Sequence, residues 1–197
     1  MGQTENILQL AMNNNGIVTS KMVTDNGLSK GILKYLYDNG KLEKIERGIY
    51  ILPNKWEDEM YNLQLKFSKG IFSHETALFL LGVIDRTPIN FDMTFPKGYN
   101  LTNVKKNNIS TFQTKIEWYE KGIIFVDTPL QNKVRCYCAE KTLCDILKPK
   151  ANTDIQVISQ SFKNYTALKN KNISLLSQYA QELNVYDKVK KYLEVLL

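Results

Sequence analysis

The side chains able to do chemistry in this 197-residue chain are few and poorly placed for catalysis. One histidine, His74, stands beside Glu75, a pair that invites general acid–base work. No HExxH follows it, and no GxSxG or glycine-rich phosphate loop occurs elsewhere. Three cysteines, Cys136, Cys138 and Cys144, give an odd count in one region, which argues against a disulfide framework. In VRCYC, the first two alternate with Tyr137 and read as small core residues on one face of a strand. A zinc site joining them to His74 has poor ligand spacing. Asp85, Asp92, Asp127 and Asp145 are scattered single carboxylates with no pairing for two-metal chemistry. We therefore expect no catalytic residue, metal or cofactor.

The other chemistry open to this chain is polyanion binding. In LSKGILKYLYDNGKLEKIERGIYIL, residues 28–52, apolar residues recur at Leu28, Ile32, Leu33 and Leu36 with a 3.6-residue period. Ser29 is placed to cap the helix, and Asn39-Gly40 is placed to end it. Lys30, Lys34 and Tyr37 then fall on the face away from Ile32. Two cations and a phenol on one face suit a DNA major groove. Two strand-like runs follow, Leu42 to Glu46 and Gly48 to Leu52, with Arg47 projecting at their bend and Lys44 among the alternating residues. A hairpin of this kind places Arg47 near a minor groove or phosphate.

These residues need a frame. Glu5 to Asn13 reads as a first short helix ended by Asn14-Asn15-Gly16. A second, Lys21 to Asp25, begins after Thr19 or Ser20 and closes at Asn26-Gly27, a helix-turn-helix spacing. Three helices and a two-stranded wing make a winged helix over residues 1–54. We expect DNA contacts from Lys21, Ser29, Lys30, Lys34, Tyr37, Lys44 and Arg47. The segment holds six Lys/Arg against five Asp/Glu, net +1, so binding rests on placed charges rather than a general field.

Residues 55–197 read as a second domain. A connecting helix, 55–70, carries Met60, Leu63 and Phe67 on one face and Glu57, Asp58 and Glu59 at its dipole-positive start. Ser73 reads as the cap of the next helix. Strands are expected at Phe91–Phe95, Phe112–Ile116, Ile123–Val126 and Val134–Cys138. Helices follow at Ala139–Leu147, Asp154–Leu168, Ile173–Leu183 and Tyr186–Leu197. Strands with helices grouped at the end give an α+β class, here an N-terminal winged helix-turn-helix followed by a mixed α+β domain.

Charge is uneven. Of the net +6, Lys97 to Lys121 holds +3 and Lys133 to Lys171 holds +5, the remainder being acidic. A C-terminal basic surface of Lys97, Lys105, Lys106, Lys133, Arg135, Lys148, Lys150 and Lys163, with Lys169 and Lys171, would extend a DNA track or hold RNA. Apolar runs fall well short of the roughly 18 residues of a membrane span. The first residues, MGQTENILQL, lack a basic leader with an apolar core. These features are those expected of a cytoplasmic protein without membrane partners.

The order of GKLEKIERGIYIL, FSHETALFLLGVIDRTP, FDMTFPKG and AEKTLCDIL resembles the AbiE-type antitoxin family (AbiEi), the antitoxin half of type IV toxin-antitoxin systems. The likeness covers nearly the whole chain. It implies a phage-defence protein, acting in abortive infection, that represses its own operon at inverted repeats in double-stranded DNA. It also implies that the C-terminal domain counters a nucleotidyltransferase-like toxin without a stable complex. Two alternatives stand beside it, a generic winged-helix regulator whose second domain senses a ligand or assembles oligomers, and an enzyme acting on nucleic acid.

Overall fold

A computed structural model describes residues 2–196. The chain divides into two compact units, Met1–Asn62 with Leu130–Asn132, and Leu63–Pro129 with Lys133–Leu197. The division thus falls beyond Asn54, and the first unit borrows a short later segment.

The first unit contains helix α1 (Gln3–Met12), strand β1 (Ile17–Thr19), helices α2 (Ser20–Asp25) and α3 (Gly31–Asp38), and strands β2 (Glu43–Glu46) and β3 (Ile49–Ile51). The strands order as β1-β3-β2, all antiparallel, with a bulge in β2 between Lys44 and Glu46. Strand β1 is not foreseen from sequence. Three residues are too few to show alternation, and all three are buried. This is a winged helix with a third strand.

Its core is Ile7, Ala11, Val18, Val23, Leu33, Leu36 and Leu42. Thr19 caps α2 by accepting from the Met22 amide at 3.0 Å. The expected Ser29 cap of α3 is corrected. Lys30 occupies the cap position in helical conformation (φ −60°, ψ −26°), and no side chain accepts there. An effective cap needs extended backbone, and the entry turn instead closes through Ile32 N–H to Ser29 O at 3.2 Å and Leu33 N–H to Lys30 O at 3.1 Å. The other end behaves as read. Gly40 takes φ +66°, and the Lys41 amide reaches back to Leu36 O at 2.8 Å.

Segment 130–132 joins this unit through Asn132. Its Nδ2 donates to Asp58 Oδ2 at 2.8 Å, and Asn15 Nδ2 donates to Asn132 Oδ1 at 2.9 Å. Asp58 also accepts from the Tyr61 amide at 3.1 Å, capping helix α4 (Glu59–Lys66). The acidic cluster therefore serves the helix start, as its position suggested.

The second unit holds strand β4 (Ile71–Phe72), helix α5 (His74–Leu80), strands β5 (Phe91–Pro96) and β6 (Ile109–Thr114), helix α6 (Ile116–Tyr119), strands β7 (Ile123–Asp127) and β8 (Lys133–Tyr137), then helices α7 (Ala139–Ile146), α8 (Ile155–Ala167), α9 (Ile173–Glu182) and α10 (Tyr186–Leu196). The sheet order is β6-β5-β4-β8-β7. Pairs β5–β6 and β4–β8 are parallel, and the other two are antiparallel. Two residues at the sheet centre, Ile71 and Phe72, link its halves, which is why sequence periodicity misses them. Strand β6 starts earlier than expected, and Ile116 belongs to α6.

Helix α7 packs against α5, α8 and α9, and α10 covers α8 and α9. Leu78, Leu143, Phe162, Leu176 and Val189 fill this helical core. The class is α+β. No described helix is long and apolar enough to cross a membrane.

Candidate functional site

On α3 the fully buried residues are Leu33 and Leu36, whereas Ile32 and Leu28 are half-buried. At about 100° per residue, the face opposite them is centred on Gly31, Lys34, Tyr35 and Asp38, with Lys30 and Tyr37 on one shoulder. Lys30 and Lys34 are exposed, and the rings of Tyr35 and Tyr37 are 59% and 47% exposed. A buried stripe centred on Ile32 leaves Tyr35 out of the outward face, whereas burial of Leu33 and Leu36 brings it in. The outward surface of the helix therefore carries two ammoniums and two phenols.

The wing turn is Arg47-Gly48. Gly48 takes φ +83°, a conformation that glycine adopts without strain, and Arg47 stands exposed beside it. Lys44 is exposed on β2. Lys21 is engaged in an exposed ion pair with Asp25 at 2.5 Å, one helical turn away. Ser29 is exposed, free of any capping role.

The C-terminal cations separate into groups. Lys97, Lys105, Lys106, Lys163 and Lys169 are exposed. Lys133 pairs with Asp127 at 3.0 Å. Lys171 donates to Leu168 O at 3.2 Å. Arg135 is not a free surface cation. Its guanidinium donates to the carbonyls of Ser68 and Gly70, and its backbone amide donates to Gln64 Oε1 at 2.9 Å, so it closes the chain before β4. Lys148 turns to a carboxylate, and Lys150 stands exposed nearby in sequence.

That carboxylate, Asp145, belongs to a buried cluster. On α7, Lys141 Nζ donates to Asp145 Oδ2 at 2.7 Å and lies 3.4 Å from the Tyr137 ring centroid. Lys148 Nζ donates to Oδ1 at 2.6 Å. Burial alone would raise the Asp145 carboxyl, yet Lys141 and Lys148 together hold it below the usual carboxylate range. Burial pulls Lys141 down. The signal for this arrangement was the Lys141/Asp145 spacing within AEKTLCDIL, an i,i+4 pair on a helix whose apolar residues occupy more than one stripe. Such a helix is covered on several sides, and Glu140 through Ile146 are all buried.

His74 lines one cavity together with Lys141, Asp145 and Lys148. It sits at φ +48° at the start of α5, its ring stacked on Phe112 with centroids 3.6 Å apart. Burial lowers its pKa to about 4, against a partial opposing pull from Asp145. The expected Ser73 cap is replaced by Asp92 of β5, whose Oδ2 accepts from the Glu75 amide at 3.0 Å and the Thr76 amide at 3.4 Å. Ser73 Oγ is instead used by Thr94 Oγ1 at 2.9 Å and meets His74 Nδ1 at 3.1 Å. Burial pushes Asp92 up to about 6, against its two amide bonds.

Cys136 and Cys144 are buried, and Cys138 lies just past β8 as the residue preceding α7. Burial pushes all three thiols up, Cys138 to about 11 and Cys144 to about 12, so none is a thiolate at neutral pH. Among the described residues, no group of three His, Cys, Asp or Glu side chains is placed to hold a metal.

No family model matches this sequence, and no curated protein matches it. In fold, the chain is similar to the RV2827C protein from Mycobacterium tuberculosis as seen in its crystal structure. The TM-score is 0.52 at 12% identity, covering 98% of this chain and 82% of that one.

Proposed function

We propose that this protein is the antitoxin of a type IV toxin-antitoxin pair, and that it represses its own operon by binding inverted repeats in double-stranded DNA through its winged helix. The observation that carries the DNA-binding half is the outward face of α3, where Lys30, Lys34, Tyr35 and Tyr37 are solvent-facing beside a wing tipped by Arg47. Lysine ammoniums donate to guanine edges or phosphates, and the phenols donate to either. The near-neutral charge of residues 1–54 makes these placed contacts, rather than a diffuse field, the source of affinity. Support for the antitoxin half is the resemblance of FSHETALFLLGVIDRTP and AEKTLCDIL to the AbiE-type family, with a nucleotidyltransferase-like toxin as functional partner.

The test is a gel-shift titration on the region upstream of the operon. Lys30→Ala and Lys34→Ala should each weaken binding by about 1–3 kcal/mol where the lysine reads a base, with less loss of sequence selectivity where it meets only phosphate. Both positions are exposed, so folding is preserved. Unchanged affinity in the folded double variant refutes the assignment. Co-expression with the adjacent toxin tests the other half, and the same double variant should still rescue growth. A second reading, a winged-helix regulator whose second domain senses a ligand, is favoured by the polar cavity around His74.

A further inference from the structure

Helix α7 carries its charges where a structural helix has no use for them. Lys141 is 2% exposed, yet its ammonium shares the single Asp145 carboxylate with Lys148. One carboxylate answering two ammoniums leaves a net positive charge, and an uncompensated charge in a desolvated setting is costly. Lys148 is only partly buried and keeps donors to spare, since an ammonium has three. Both lysines line a cavity of about 690 Å³, within the size range of small-molecule sites.

His74 completes the lining. Its left-handed backbone is strained for a residue with a Cβ, and strain of this kind gathers at ligand sites. Ser73 Oγ accepts from Thr94 Oγ1 and meets His74 Nδ1 at 3.1 Å; with the Ser73 hydroxyl donating to Nδ1, the ring proton is carried on Nε2. Among the described residues Nε2 has no hydrogen-bond partner, and His74 lines the cavity. The cavity thus presents two ammoniums, a neutral N–H donor and, at Lys150, a further cation, against one carboxylate already engaged. Phe112, Pro149 and Leu183 form an apolar part of the wall beside Thr111, Gln113 and Thr114.

We propose that this cavity binds a phosphate monoester, with its phosphoryl oxygens taken by Lys148, Lys141 and the Nε2–H of His74 and its organic group against the apolar wall. Several donors of mixed charge suit a tetrahedral dianion with many acceptor sites better than a carboxylate, which a single ammonium or guanidinium satisfies. The monoester has two possible sources, a free phosphorylated metabolite or the phosphorylated 5′ end of a nucleic acid strand.

Because His74 is the only histidine, its imidazole resonances report on the cavity without assignment. The full-length protein is titrated with inorganic phosphate, with ribose 5-phosphate against ribose, and with a short oligonucleotide bearing a 5′-phosphate against the same strand ending in a hydroxyl. The expected result is a saturable shift of the His74 signals by the phosphorylated probes and none by their unphosphorylated counterparts. Ribose 5-phosphate acting alone identifies a metabolite, whereas the oligonucleotide acting alone identifies a strand end. Lys148→Gln should weaken binding at least about tenfold, the loss of one charge-assisted contact. Lys150→Ala, at an exposed position where folding is not at stake, should weaken it by a few-fold. No saturable shift with any phosphorylated probe, or equal affinity in wild type and both variants, overturns the proposal. The Lys30→Ala, Lys34→Ala protein should titrate like wild type, so failure of the DNA-binding reading leaves this test intact.

Discussion

Replacing Asp92 by Asn should unmask a strong acid sensitivity that the wild-type protein hides. Two buried groups of the second unit titrate in opposite senses. His74 falls from 6.5 to about 4 on folding, so the native state binds fewer protons there. Its contribution is fully present above pH 6.5 and is lost as pH falls toward 4. Asp92 rises from 3.8 to about 6, so the native state binds more protons there, and its contribution grows as pH falls from 6 to 3.8. At about 1.4 kcal/mol per pKa unit, linkage gives a loss of about 2 kcal/mol from His74 between pH 7 and 4.5, and a gain of similar size from Asp92 over the same interval. The two oppose each other. Asp145 is held below the usual range and weakens the fold only under pH 3.8, outside this window. Asn at position 92 cannot titrate, so the variant should lose about 2 kcal/mol more than wild type between pH 7 and 4.5. Any loss of the α5 cap is common to both pH values and drops out of the comparison. The assay is urea unfolding at the two pH values followed by Trp118 fluorescence in a Trp56→Phe background. Trp56 is 85% exposed and its replacement is harmless, while Trp118 lies in α6 of the second unit. Parallel behaviour of wild type and Asp92→Asn across the interval would refute the argument.

The packing of each unit gives one further expectation. Leu36→Ala empties a position with no exposure at the centre of the winged-helix core and should destabilise the first unit by about 2–5 kcal/mol, read by chemical denaturation, with DNA affinity lost in proportion to the unfolded fraction. Gly70→Ala places a Cβ 2.5 Å from Met93 Cε and 3.0 Å from Phe95 Cζ, beside the central strand β4. It should cost about 1–3 kcal/mol by overpacking, seen as a lower thermal midpoint of the second unit, and an unchanged midpoint would show that Met93 yields freely.

What the sequence made legible is what local periodicity and turn chemistry encode. The three N-terminal helices, the hairpin, the Asn39-Gly40 stop and all four late helices follow from residues near one another in the chain, and their bounds differ from expectation by a residue or two. The outward placement of Lys30, Lys34 and Tyr37 is equally local, since a helix fixes it once Leu33 and Leu36 are buried. Elements set by distant partners were not legible. Ile71 and Phe72 become a strand only because β5 and β8 flank them, and β1 exists because β3 offers an edge. The α5 cap came from Asp92 rather than Ser73 for the same reason, because a carboxylate on a neighbouring strand outcompetes a local hydroxyl that Thr94 already engages. The cavity is the extreme case. Lys148 and Lys150 were legible only as charge, Lys141 and Asp145 only as an i,i+4 pair, and His74 only as a lone imidazole next to Glu75. Folding brings His74 to the cluster from far upstream, and it also decides the sign of each group's chemistry. Burial keeps the imidazole neutral and a donor, while the two ammoniums keep Asp145 charged and leave the excess positive charge that calls for an anion.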